Sequence, residues 1–392
     1  MKNNHSWRKI IAFIIGIPIL IVLVFIVGVT ALIILKDIRR DPTPAVTEPK
    51  TYTMDELIPF DIADSQEDLP VSAYTDTRSG RFGKLVIYDM DQYDLAYGDE
   101  RITREDIKSV IYGNSKIPEQ YRSLLSEFTE MVLDTYPDLD LRPLYHNLQT
   151  LEVIESDNDL MWKSVSNLSY GCYRIDENKI YVKENFEFNK HTWAYQVIMH
   201  EFAHCARSSR ALDRIEIGSS ELYYDSVILN EALNSLFTVQ IFDYEERDIA
   251  YQLQSNMVQV MINCMNQDPS QQGYYNYDDY MRHSNSYFFK KLDEFNGNHN
   301  YAWAMIRLME VQYNDYHNDE YEIEQEYFYP LYDYIAQMYY RTHITDNMSR
   351  EECEAVADEL IEQVTYDVPE EYKLETEEFY RYLEKYLNEG TK

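Results

Sequence analysis

The sequence predicts a mainly helical α+β protein carried on one N-terminal transmembrane helix, and three observations lead there. Glycine is scarce, 11 of 392 residues, while long charged and apolar stretches keep a helical period. The clearest β-rich runs lie between Leu151 and Phe186. Residues 10–35 contain no charge at all. A hydrophobic share of 45% excludes a disordered chain, and the length allows one or two domains with a substantial core.

Residues 1–9 form a short basic tail. The 26 residues from Ile10 to Leu35 are longer than a signal-peptide core and long enough to span a bilayer with some tilt. Pro18 is tolerable inside such a helix. Lys2, Arg8 and Lys9 face Lys36, Arg39 and Arg40 across the span, so the positive-inside rule gives near parity. The habit of short-tailed anchors then decides: tail inside, the bulk of the chain extracytoplasmic at the cell membrane.

Residues 36–83 read as a linker or stalk, stiffened by Pro42, Pro44 and Pro49. A folded domain follows over 84–300, opening near Lys84, and a helical subdomain over 301–392. Tyr121, Leu124, Leu125, Phe128 and Val132 make a helical stripe between Pro118 and Tyr136, closed by Pro137. "LEVIES" from Leu151 predicts a strand, and "YGCYRIDENKIYVKENF" a hairpin turning at Asp176 to Asn178. Helices are expected over about His191–Arg207 and Asp225–Tyr244. Beyond residue 300 the period is helical almost to the end. Ser349 and Glu352 form a capping box there, and the last helix stops near Gly390. The acidic, tyrosine-rich run 314–329 reads as a solvated helix face.

The net charge is −34, and it is unevenly placed. Six of the 35 bases but only one of the 69 acids, Asp37, lie in residues 1–40. The remainder repels nucleic acid and anionic lipid, and suits basic substrates or cations, beyond the simpler service of solubility. "DMDQYD" and "DNDLMW" lack the glycine and final glutamate of a calcium loop. Cys172, Cys205, Cys264 and Cys353 are scattered and form no CxxC pair, so they predict neither a disulfide framework nor a thiolate zinc site.

The chemistry concentrates in "VIMHEFAHCA", residues 197–206. On a helix, His200 and His204 lie one turn apart on one face, where both imidazoles reach a single Zn2+. Glu201 projects beside them, placed to take a proton from a metal-bound water without ligating. Ile198, Phe202 and Cys205 form a separate stripe for the core, which makes Cys205 a packing residue. The histidines then face a cleft.

"HEFAH" in this setting resembles the active-site helix of zincin metallopeptidases, and the preceding hairpin is similar to the edge strand those enzymes lay alongside a bound peptide. The resemblance covers roughly residues 145–245 and implies a zincin-like domain with a small mixed sheet. A metzincin would need glycine at Arg207 and histidine at Arg210, so the resemblance is to the gluzincin branch, whose third ligand is a glutamate from a second helix. "LNEALNSLF" offers Glu231, with Glu216 and Glu221 as rivals. Burial of Glu231 on an apolar helix favours it, since an unpaired buried carboxylate is costly. The thermolysin-like aspartate four residues later is replaced by Ser235, with Asn234 beside it. Tyr224, seven residues before Glu231, resembles the oxyanion donor of lethal-factor-like members; His283 is the other candidate. The resemblance implies a zinc metallopeptidase acting on a peptide or protein substrate. Two alternatives stand beside it: a non-catalytic cell-surface binding protein that keeps the fold, and a zinc hydrolase of a non-peptide amide.

Overall fold

The computed structural model describes residues 97 and 99–389, except 158–169, 175–176, 184–192, 210–214, 217–226, 243–250, 268–269, 271–272, 284, 298–300, 318–324, 370–371 and 373. The expected anchor at 10–35, the expected stalk at 36–83 and the opening of the folded domain near Lys84 lie outside the described residues. Among those described, no helix is long and apolar enough to cross a membrane.

The chain enters through α1 (Arg104–Gly113), where the Thr103 side chain accepts from the Asp106 N–H and the Asp106 carboxylate accepts in return from the Thr103 N–H. Helix α2 (Glu119–Thr135) buries Tyr121, Leu124, Leu125, Phe128 and Val132, the stripe its sequence predicts. Helix α3 (Arg142–Leu148) is short and carries Pro143 in its first turn. Three strands follow, β1 (Glu152–Glu155), β2 (Gly171–Arg174) and β3 (Lys179–Val182). Their order is β1-β3-β2: β3 runs parallel to β1 and pairs antiparallel with β2 through Cys172↔Tyr181. Among the described residues the sheet is therefore mixed, with β2 at one edge.

Asn178, at the hairpin turn, is fully buried with φ of 55°, a left-handed conformation that asparagine tolerates better than most residues. Its amide donates to the Asn147 carbonyl and to Thr150 Oγ1, both at 2.8 Å, and its Oδ1 accepts from the Tyr173 hydroxyl at 3.0 Å. One side chain thus fastens the sheet to the end of α3.

Helix α4 (Trp193–Arg207) lies against β2, with Ile198, Phe202 and Cys205 fully buried as their spacing requires. Burying each of the larger two contributes roughly 1.5–3 kcal/mol. A two-residue ribbon, β4 (Ser208–Ser209) with β5 (Ile215–Glu216), follows. Helix α5 (Val227–Ile241) occupies the heart of the expected 225–244 helix and packs on both α4 and α6 (Gln252–Met265).

The later helices are α7 (Tyr277–Arg282), α8 (Asn285–Asn296), α9 (Tyr301–His317), α10 (Tyr329–His343), α11 (Arg350–Thr365) and α12 (Glu377–Glu389). Helix α9 packs on α5 and α10, while α6 packs on α10 and α11. The Ser349–Glu352 capping box forms at the start of α11. The tyrosine-rich run is not one solvated face. Gln325–Phe328 makes a 3-10 turn that drives Phe328 into the core. Tyrosine serves widely as core here: Tyr332 and Tyr340 are fully buried, and Tyr340 donates to the Phe379 carbonyl at 2.7 Å, fixing α12 to α10.

Candidate metal centre

Two helices build the site. On α4, His200 and His204 stand one turn apart with rings 4.7 Å between centroids. Helix α5 is apolar along Ile228, Leu229, Ala232, Leu233 and Phe237, yet one stripe of it is polar: Asn230, Glu231, Asn234 and Ser235. That stripe meets α4. Glu231 Oε2 lies 2.9 Å from His200 Nε2 and 3.4 Å from His204 Nε2, and the two Nε2 atoms are 3.0 Å apart.

Three ligand-type atoms therefore form a triangle with edges of 2.9, 3.0 and 3.4 Å. An ion with tetrahedral bonds of about 2.0–2.1 Å separates its ligands by roughly 3.3 Å. The donor set is two neutral-capable imidazoles and one carboxylate, and the side chains of His200, His204 and Glu231 are only 14%, 7% and 20% exposed. These residues fit a zinc-type ion, and they are the group among the described residues that could hold a metal.

Burial works to raise the Glu231 carboxyl, but His204 and His200 beside it prevail and hold it well below the usual carboxylate range. Glu201 goes the opposite way. Burial is the largest cause and raises it, despite the opposing pull of the same two histidines. Two carboxylates in one pocket are thereby shifted apart, Glu231 favoured in its ionised form and Glu201 raised in proton affinity. The Cys172 thiol on β2 is pushed up to about 12 by burial and then by the charge of Glu201, so it stays a neutral thiol.

Glu201 is aimed by the strand edge. Its Oε2 accepts from the Tyr173 backbone N–H at 2.7 Å. Gly171 permits this approach: a Cβ there would sit 2.6 Å from Val197 Cγ1 and 2.9 Å from Glu201 Cγ. Around the ligands, the Asn234 amide donates to the His200 carbonyl at 2.9 Å, and Ser235 Oγ lies 3.5 Å from His200 Nδ1. Ser235 thus stands by the histidine that the sequence reading left without an orienting partner. Beyond the site, buried Arg207 ties α4 to α7 by donating to the carbonyls of Tyr280 at 2.6 Å and His283 at 3.1 Å, and it also reaches Asn230 on α5.

The structure brings His200, Glu201, His204 and Glu231 together. Tyr224 and Glu221 lie outside the described residues, and Glu216 sits on β5, paired across to Ser208. His283 caps α7, where its ring stacks on Tyr287 at 4.1 Å and faces Asp279 at 3.9 Å. Gly171 and the Tyr173 N–H were missed at the level of sequence, while Asn234 was noted beside Ser235 without a role. Gly171 carried a signal, because glycine inside a strand pattern marks a close backbone approach. A backbone donor carries none.

No known protein family, curated protein or solved structure matches the chain.

Proposed function

We propose that the chain is a membrane-anchored zinc-dependent hydrolase of peptide bonds, built as a gluzincin-like domain with a helical C-terminal subdomain, working outside the cytoplasm. The observation that carries this reading is the convergence of His200 and His204 with Glu231 from a second helix, while Glu201 stands beside them on the strand edge. When bound, zinc lowers the pKa of a coordinated water towards neutrality and polarises the scissile carbonyl. Everything else falls to the chain. His200, His204 and Glu231 hold the ion. Glu201, its proton affinity raised by burial, takes the proton from the attacking water and can return it to the leaving amine. The Tyr173 N–H fixes which way Glu201 points. Edge strand β2 leaves backbone groups beside the site for an extended peptide to pair with. The acidic surface favours a basic substrate segment.

A binding protein with a structural zinc has no use for a carboxylate at position 201, which favours the catalytic reading. The test uses the full-length chain in detergent, with metal analysis and a mixed-sequence fluorogenic peptide pool. Glu201→Gln is expected to keep zinc and lose turnover by at least about 100-fold, within the range for a general base. Glu231→Ala is expected to lose most zinc. Full zinc occupancy in Glu231→Ala, or undiminished cleavage by Glu201→Gln, refutes the proposal.

A further inference from the structure

Resting on that reading, we infer that Arg207 is a positioning residue for the metal centre: by fixing the register of α5 against α4 it holds Glu231 opposite His200 and His204. The three ligand-type side chains come from two helices, so local spacing sets the two histidines but leaves the place of the glutamate to the way the helices are joined. A shift of one residue along a helix is about 1.5 Å. That is most of the length of a metal–ligand bond of about 2 Å, so the centre closes in one register only.

Arg207 ends α4 and is 1% exposed, unusual for a residue with so many donors to satisfy. Its Nε donates to the Tyr280 carbonyl at 2.6 Å, its Nη2 to the His283 carbonyl at 3.1 Å and its Nη1 to Asn230 Oδ1. The guanidinium also lies over the Tyr280 ring, 3.8 Å from the centroid. Both carbonyls belong to the end of α7, and helix ends offer acceptors without intrahelical partners. Asn230, itself buried, is the residue immediately before Glu231. One planar fork thus joins α4, α5 and α7.

The contacts between α4 and α5 fall in reverse order along the two helices. The Asn234 amide donates to the His200 carbonyl at 2.9 Å, Glu231 lies against His200 and His204, and Arg207 reaches Asn230. The helices therefore run in opposite directions along this contact, and Glu231 is bracketed by a hydrogen bond on either side. The Asn234 bond holds the His200 end; the Arg207 bond holds the end beyond His204. With both made, α5 has no freedom to slide or roll, and the carboxylate meets the imidazoles without searching for them. Lysine does not substitute, because a single ammonium on a flexible stem lacks the rigid fork that spans acceptors on two other helices.

The test reads zinc affinity, by competition with a chelator of known strength, in the folded full-length chain well below its thermal midpoint. Loss of global stability alone leaves the affinity of the folded state unchanged, so a merely structural role does not move this readout. Asn230→Ala and Arg207→Lys are each expected to bind zinc about tenfold more weakly, the lower end of the range for residues that orient metal ligands. The double variant is expected to bind no more weakly than Arg207→Lys alone, since both changes break the same bond. Tyr340→Phe, which loses the bond between α10 and α12, serves as the destabilised control and is expected to keep the parent's affinity. If Arg207→Lys does not fold, Asn230→Ala carries the test. A zinc-binding parent whose folded variants bind zinc as tightly as it does overturns this inference alone, as does an equal loss in Tyr340→Phe. A parent that holds no zinc overturns the hydrolase reading and this inference together.

Discussion

Replacing Gly171 with alanine tests how strand β2 and helix α4, which carries His200 and His204, are fitted together. The added Cβ would meet Val197 Cγ1 at 2.6 Å, Glu201 Cγ at 2.9 Å and Glu201 Oε1 at 3.1 Å. Ordinary carbon contacts are about 3.5–4.0 Å, so the closest pair falls short by roughly 1 Å. Val197 has little room to yield, because a β-branched residue in a helix has one strongly preferred rotamer. The strand is held by its ladder to β3 and by the Tyr173 N–H bond to Glu201. Overpacking of this kind costs about 1–3 kcal/mol. The remaining give is in Glu201, and a displacement of about 1 Å in a catalytic group can cost on the order of 100-fold in rate. Gly171→Ala is therefore expected to lower stability by about 1–3 kcal/mol in urea unfolding and peptide hydrolysis by about 100-fold, with zinc content unchanged. The zinc content matters because no ligand is among the atoms the new Cβ meets. Unaltered stability and unaltered rate together would refute the fit, and loss of zinc would show that the strain travels further than Glu201.

Asp333 on α10 is raised to about 6, first by burial and then by Glu378, against the opposing pull of Arg381 and Lys385. Its folded value exceeds its unfolded one, so the native state binds the proton more tightly, and this contribution to stability is lost as pH rises from about 4 to about 6. The shift is worth at most about 3 kcal/mol. Asp333→Asn is expected to gain stability over the parent at pH 7.5 and little at pH 4, read from paired urea titrations; equal differences at both pH values would refute it. Asn147→Ala removes the buried amide that donates to the Cys205 and Ser208 carbonyls, both at 2.8 Å. Leaving two acceptors unsatisfied is expected to cost about 2–4 kcal/mol, with thermal unfolding as the measure and a loss below 1 kcal/mol as the refuting result.

Helices α2, α4 and α5 and those beyond residue 300 were legible because their apolar stripes repeat at 3.6 residues, and Pro118 and Ser349 announce two of the starts; α1, α3 and α6 to α8 were not foreseen. The group that could hold a metal was legible too, since His200 and His204 are fixed by local spacing and Glu231 stood out as a carboxylate on an apolar helix. What could not be read is what arrives from far along the chain. The Tyr173 N–H reaches Glu201 only because β2 packs along α4. His283 was the second candidate donor after Tyr224, and its ring lies against Tyr287 and Asp279 at the end of α7. Short-range pattern identifies groups that share a helix; it is blind to those brought together by a tertiary contact.

The way the centre is fastened bears on its chemistry. Asn147, Asn178 and Asn234 grip backbone carbonyls around α3, α4 and the hairpin, and all three are uncharged. Arg207 is the charged exception, and its contacts lead from the last residue of α4 to α5 and α7. Charged fasteners placed among the ligands would act on Glu201 and Glu231 as strongly as any metal, since an interior of low dielectric screens little. Amides fix geometry without doing that. Among the described residues, the charges that act on Glu201 and Glu231 are then those of the two carboxylates and the two imidazoles. The opposite shifts of Glu201 and Glu231, one raised by burial and the other held down by the histidines, follow from that economy. A site so arranged lets one carboxylate bind the ion while its neighbour keeps enough basicity to move a proton.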